Sequence, residues 1–255
     1  MRPYILSETT WKTVKESNFD LAILPWGATE VHNYHLPYAT DTLLADAIAA
    51  QAAKQAWEQG SRCIVLPAIP YGVNTGQIDV KLCMNMNPST QLAVLSDITH
   101  VLDYHNINKL LIINAHGGND FKPLIRELSL KYPKVFIAAT NWWNASNANE
   151  VFDEPGDHAG ELETSMIQFI TPRLMLPIEE AGNGFTKQFS IKGLQEGWVI
   201  AQRHWPSISQ DTGVGNPIKA TPEKGKIFFE KTTQAIADFI IQLSNTDLSN
   251  LYKDL

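Results

Sequence analysis

Four side chains able to bind a divalent metal ion lie within the 18 residues 24–41, whose sequence is LPWGATEVHNYHLPYATD. They are Glu30, His32, His35 and Asp41. Carboxylate oxygens and imidazole nitrogens are common ligands of zinc and related ions. Pro25, Gly27 and Pro37 interrupt any regular helix here, so the segment is predicted to be a metal-binding loop.

The spacing within this loop favours two ligands on one side of the chain. Glu30 and His32 are two residues apart, and residues i and i+2 of an extended segment project to the same face. Asp41 precedes a helical pattern over 42–57, so its carboxylate could instead cap that helix. With Glu30 and His32 just upstream, we favour the ligand over the cap.

The rest of the chain alternates short apolar runs with helical patterns. The runs are 21–24, 63–66, 109–113 and 135–140, and the helical patterns between them are 42–57, 88–105 and 120–132. Strands that alternate with helices predict an α/β fold whose mainly parallel sheet is covered by helices on both faces. In such folds ligands bind beyond the carboxyl ends of the strands.

Polar clusters follow all four runs, at the edge where a ligand is expected. They are Glu30 with His32, the segment 70–76, the segment 114–120 (NAHGGND) and the segment 141–144 (NWWN). Within them we expect Thr75, Gly117 and Trp143 to contact the substrate, with Trp143 as a wall of the pocket. His116 could be an ordinary turn histidine, but its place on the shared edge favours a ligand.

The segment 156–170 brings further candidates to the same region. A loop carrying His158 leads into a helix whose first turn holds Glu161 and Glu163. Residues two apart on a helix point in roughly opposite directions, so only one of these glutamates can face the site. The other is structural, and acidic residues at this position also suit the helix dipole.

Composition restricts the classes of function. The chain has 255 residues, 44% hydrophobic content and a net charge of −7, which fits one domain and argues against nucleic-acid binding. Cys63 and Cys83 are too few for a thiolate metal site. No membrane span or signal peptide is evident, so we expect a cytoplasmic protein. Residues 172–222 are predicted to form a loop-rich lid or subunit contact.

The last segment, 222–243, has the pattern of an amphipathic helix. Its predicted buried face consists of Ile227, Phe228, Ala235, Phe239 and Leu243.

Three motifs in order resemble the creatininase (creatinine amidohydrolase) family: the loop 24–41, the turn NAHGGN at 114–119 and HAGELETS at 158–165. The loop is similar to the family pattern LPxGSxEQHGxHLPxxTD. The segment GVGNPIKATPEKG further resembles a C-terminal GxxGxPxxAxxEKG. The resemblance implies a three-layer α/β/α fold, two divalent ions (zinc or manganese, with iron an option), a homo-oligomer (a hexamer) and hydrolysis of C–N bonds by a metal-bound hydroxide.

By position in the motifs, the resemblance implies ligand roles for Glu30, His32, Asp41 and His116, with Asp41 bridging. It implies proton transfer for His158. Creatininases also have a tyrosine and a metal-binding glutamate beside the position of Gly117, where this sequence has Gly117 and Gly118. They have a Trp-Asp pair where this chain has Glu154 and Pro155.

We therefore expect an amidohydrolase that acts on a cyclic amide or formamide and is a poor creatininase. We expect Glu163 to supply the missing ligand, entering an open space above Gly117 and Gly118. Two alternatives remain at this point. A metallophosphoesterase would use the same metals but would normally place Lys or Arg on the phosphate, and the site motifs contain neither. A non-catalytic protein that binds a metal or a small molecule would lack the proton shuttle.

Overall fold

The computed structural model describes residues 2–253, which contain one parallel sheet. Its strands are β1 (Leu21–Trp26), β2 (Cys63–Val65), β3 (Lys109–Asn114) and β4 (Phe136–Asn141). Their spatial order is β2-β1-β3-β4, and every neighbouring pair is parallel. All four carboxyl ends therefore meet at one edge, as the sequence predicts.

Helices cover both faces of the sheet. They are α1 (Trp11–Val14), α2 (Thr40–Glu58), α3 (Pro88–Tyr104), α4 (Phe121–Lys131), α5 (Glu161–Ile170), α6 (Lys192–Gln195), α7 (Trp205–Ile208) and α8 (Pro222–Asn245). No helix among residues 2–253 combines the length and apolar character needed to cross a bilayer.

Alternating side chains of the strands pack into two separate hydrophobic cores. Leu21 and Ile23 of β1 pack with residues of α2, α5 and α8, whereas Ala22 and Leu24 pack with residues of α3 and α4. Successive strand residues point to opposite faces, which explains why β1 is buried along its whole length. The three-layer α/β/α prediction is confirmed.

The predicted buried face of α8 is wrong in part. Ile227 and Phe239 are 47% and 42% exposed, and the buried positions include Thr232, Ile236 and Ile240. The buried face contains Phe228, Ile236 and Ile240, so it is rotated about the helix axis from the predicted face. On this face α8 packs closely against α5.

Gly225 makes this close approach possible. A Cβ at this position would fall well inside contact distance of the Ser165 carbonyl oxygen of α5. The helix that carries Glu161 and Glu163 is thus held against α8 by direct contact with backbone.

Gly225→Ala should force α8 and α5 apart and lower the free energy of unfolding by about 1–3 kcal/mol. Lys226→Ala, at an exposed neighbouring position, is the matched control. Urea unfolding of both variants measures the difference. Equal midpoints for the two variants would contradict this account of the helix contact.

Candidate active site

Two groups of potential metal ligands share one aspartate at the carboxyl edge of the sheet. Glu30, Asp41 and His116 form one group, and His32, Asp41 and Glu163 form the other. Within each group the ligand atoms lie within 4.8 Å of one another. Asp41 Oδ1 is 2.9 Å from His32 Nε2, and its Oδ2 is 3.1 Å from His116 Nδ1. The two oxygens of Asp41 thus face the two groups.

Asp41 does not cap α2. It is the second residue of the helix, the cap position belongs to Ala39, and no side chain caps this end. Its Oδ2 is buried without a hydrogen-bond partner. The capping alternative left open by the sequence is therefore wrong.

His35 lies outside the cluster. Its Nε2 is 2.9 Å from Thr164 Oγ1 on α5, and its ring is buried. Burial, reinforced by the positive charge of His32, lowers the pKa of His35 to about 4. A neutral His35 connects the loop to α5 and is not placed to share an ion with Glu30 or Asp41.

The orientation of His116 is fixed by the backbone. Its Nε2 lies 3.0 Å from the Val73 carbonyl, which leaves Nδ1 facing Glu30 Oε1 at 2.8 Å. A Cβ on Gly118 would collide with that carbonyl and with the His116 ring. Gly117, by contrast, has open space around it. The expected opening above both glycines therefore exists only above Gly117.

The carboxylate of Glu30 is oriented by a side chain that the sequence motifs do not include. Gln77 donates from Nε2 to Glu30 Oε2, and Cys83 Sγ lies 3.1 Å from Gln77 Oε1. The Glu30 backbone N–H donates to the Tyr38 carbonyl, which closes the loop. Gln77 directly follows the polar segment 70–76, and this position is the only feature of the sequence that indicates a place near the site.

The two glutamates at the start of α5 point in opposite directions, as helix geometry requires. Glu163 Oε2 lies 4.0 Å from His32 Nε2 and accepts a hydrogen bond from the Ala159 N–H. Glu161 is fully buried on the other side, where it pairs with Lys224 and accepts a hydrogen bond from the Glu154 N–H. Glu161 thus already has a cation of its own.

His158 closes the remaining side of the cluster. Its Nε2 is 2.8 Å from the Val31 carbonyl, and its Nδ1 is 3.9 Å from Glu30 Oε1. The ring also lies against Trp205, with a centroid distance of 4.8 Å and an edge-on geometry. The motifs predict His158 at the site, whereas no sequence pattern indicates Trp205 there.

The charges of the cluster demand positive partners. Burial opposes the charged form of His32, yet the nearby Asp41 carboxylate raises the pKa of His32 to about 10. For His116, burial is likewise outweighed by the Glu30 carboxylate, and its pKa lies well above the usual value. Burial raises the pKa of Glu163. Glu30 and Asp41 are almost fully buried, and two carboxylates this close are stable in their charged form only with cations beside them.

The geometry around His116 fits a metal ion better than a proton. Its single Nδ1 faces oxygens of both Glu30 and Asp41, at 2.8 and 3.1 Å. One proton on that nitrogen can satisfy only one oxygen well, which agrees with the unpartnered Oδ2 of Asp41. A cation among the three atoms would satisfy all of them.

A cavity of about 790 Å³ opens onto the cluster. Gly117 and Trp143, two of the expected substrate contacts, line it. The third, Thr75, is exposed, and the lining here comes from Asn74, Gly76 and Gln77. Residues 200–203 and Trp205, within the loop-rich segment 172–222, also line it. That part of the segment therefore lies at the cavity.

Proteins of known structure share this fold over nearly the whole chain. A family model described as creatinine amidohydrolase matches residues 7–240. A crystal structure of a Bacteroides fragilis NCTC 9343 protein, provisionally named a creatinine amidohydrolase, is 42% identical, with a TM-score of 0.92 over 97% of this chain and 99% of that one. A mutant creatininase, described as the Zn-Zn type, is 20% identical and shares the fold, with a TM-score of 0.81 over 96% of this chain and 100% of its own.

A mycofactocin precursor peptide peptidase of Mycobacterium ulcerans (strain Agy99) is 25% identical over 87% of this chain and 81% of its own. The family match covers nearly the whole chain, and the α/β/α architecture agrees with it. The protein belongs to the creatininase family and is a hydrolase.

Proposed function

We propose that the protein is a metal-dependent amidohydrolase with two divalent ions, zinc or manganese, per chain. The observation that carries this proposal is the sharing of Asp41 between two ligand groups. One ion would be held by Glu30, Asp41 and His116, and the other by His32, Asp41 and Glu163. Such ions act as Lewis acids that lower the pKa of water and polarise the carbonyl of an amide.

His158 is the group we assign to proton transfer. Its Nε2–H donates to the Val31 carbonyl, so its Nδ1 faces the cluster and Glu30. A leaving amine needs a proton as the C–N bond breaks, and Nδ1 of this buried imidazole can take a proton from the attacking water and then pass it to the amine. Trp205 covers the other side of the ring and helps to exclude bulk water.

Creatinine itself is a poor match for this site, in our proposal. The cavity volume of about 790 Å³ lies near the upper end of ordinary ligand pockets. Gly117 leaves the space beside His116 open, and Asn144 and Asn147 add amide groups to the walls. A larger amide, such as a substituted formamide or a peptide, fits these features better. We also expect a cytoplasmic homo-oligomer.

His158→Ala should lower kcat by about 10²–10⁴-fold while both ions stay bound, because the proton donor is lost and the proposed ligands remain. The assay follows release of amine or acid from a panel of cyclic amides and formamides, with metal content measured on the same samples. Full activity in the variant would refute this role. Turnover of phosphate esters without amide turnover would favour a phosphoesterase.

Glu163→Gln should reduce metal content from two ions per chain toward one and abolish turnover, because an amide replaces a charged ligand of the second ion. Glu161→Gln is the matched control on the same helix turn, since Glu161 pairs with Lys224 and should affect only stability. Titration calorimetry with zinc measures both variants. If Glu161→Gln loses the ion and Glu163→Gln keeps it, our assignment of the ligand is incorrect.

A further inference from the structure

Among residues 2–253, the lining of the cavity includes a single Lys or Arg side chain, that of Arg203. Its guanidinium lies over the ring of Trp205, 4.9 Å from the centroid, and its Nη1 donates to Asp157 Oδ2 at 2.7 Å. Trp205 in turn contacts His158. Arg203 is thus separated from the assigned proton donor by one indole ring.

The backbone holds this cation in a defined place. Gly76 has no side chain, and a Cβ there would collide with the Arg203 carbonyl oxygen. The segment carrying Arg203 therefore packs directly on the turn Thr75–Gln77 beyond β2, and that turn also supplies Gln77 to Glu30. The backbone of Arg203 and the side chain that orients Glu30 thus belong to segments in direct contact.

The guanidinium keeps donors for a further partner. The side chains of Arg203 and Asp157 are 43% and 60% exposed, and exposed ion pairs of this kind are weak. Among the described residues only Nη1 has a hydrogen-bond acceptor, so Nε and Nη2 are available. A planar guanidinium with two neighbouring free donors suits the two oxygens of a carboxylate or phosphate.

We propose that Arg203 binds an anionic group, a carboxylate or a phosphate, on the part of the substrate remote from the scissile amide. This inference rests on the proposed amide hydrolysis. Outside the cluster, Asp157 is the other charged side chain in the described lining, and it is already paired with Arg203. The amides of Asn144 and Gln202 line the same cavity and can complete the contacts of such a group. Arg203 is thereby a determinant of specificity.

Pairs of probes that differ in the charge of the remote group distinguish recognition of the anion from recognition of the amide. The carboxylate pair is an N-formyl ω-amino acid and its neutral N-methylamide, over increasing chain lengths. The phosphate pair is N-formyl-O-phosphoethanolamine and N-formylethanolamine. Calorimetry on the metal-loaded protein gives binding, and formate release gives kcat/KM. The pair whose anionic member is more strongly preferred over its neutral member identifies the kind of anion.

The wild-type protein should bind the anionic member of one pair about tenfold more tightly than the neutral member, as expected for a charged hydrogen-bonded contact. Arg203→Gln should bring the ratio of the two affinities close to one. Asp157→Asn should raise the ratio, because it removes a competing carboxylate. Arg126→Gln, on the exposed side of α4, is the control and should leave the ratio unchanged.

The two variants distinguish recognition from a structural role. In a purely structural role, the contact between Arg203 and Asp157 serves only to hold the segment 200–205 in place. In that case Arg203→Gln and Asp157→Asn will weaken the binding of the anionic and the neutral probe alike, which overturns the proposal. Formate release with equal binding and kcat/KM for both members also overturns it and leaves amide hydrolysis standing. Binding that depends on Arg203 without formate release supports the anion site and counts against formamide hydrolysis.

Discussion

The contact of Asp41 with two histidines is the interaction on which the site depends. Its two oxygens lie 2.9 and 3.1 Å from His32 and His116, and its side chain is almost fully buried. Glu30 shares one ligand group with Asp41 and Glu163 shares the other, and Glu30 is also buried. Buried carboxylates this close repel one another unless positive charge lies among them. In our proposal two metal ions supply that charge.

The fold positions this cluster through the carboxyl edge of a parallel sheet. Loops after β1 and β3 bring Glu30 and His116 together, and the first turn of α2 adds Asp41. Glu163 comes from α5, whose position depends on contact with α8 at Gly225. Backbone carbonyls then fix the orientation of two histidine rings. The Val73 carbonyl contacts Nε2 of His116, and the Val31 carbonyl contacts Nε2 of His158. Most orienting contacts are therefore main-chain or small-residue contacts.

The features predictable from sequence are those encoded within short segments. The four strands, the three helices between them and the loop 24–41 follow from periodicity and from Pro and Gly positions. The opposite orientation of Glu161 and Glu163 follows from the helical turn angle alone. The placement of the polar clusters at one edge follows from the parallel topology.

The features that escaped prediction depend on contacts between distant segments. The crowding at Gly118 is caused by Val73, and the lack of room for a side chain at Gly225 is caused by the backbone of α5. Gln77 reaches Glu30 across 47 residues of sequence, and Trp205 reaches His158 from the loop-rich segment. No local pattern carries this information, because each contact is defined only once the layers have packed.

Anomalous difference maps test most directly whether Asp41 lies between two metal ions. Crystals of the protein would be grown with manganese or zinc and measured at the absorption edge of the metal. We predict two peaks per chain, one beside Glu30 and His116 and one beside His32 and Glu163, with an oxygen of Asp41 next to each. A single peak, or two peaks of which one lies away from Asp41, would contradict this assignment.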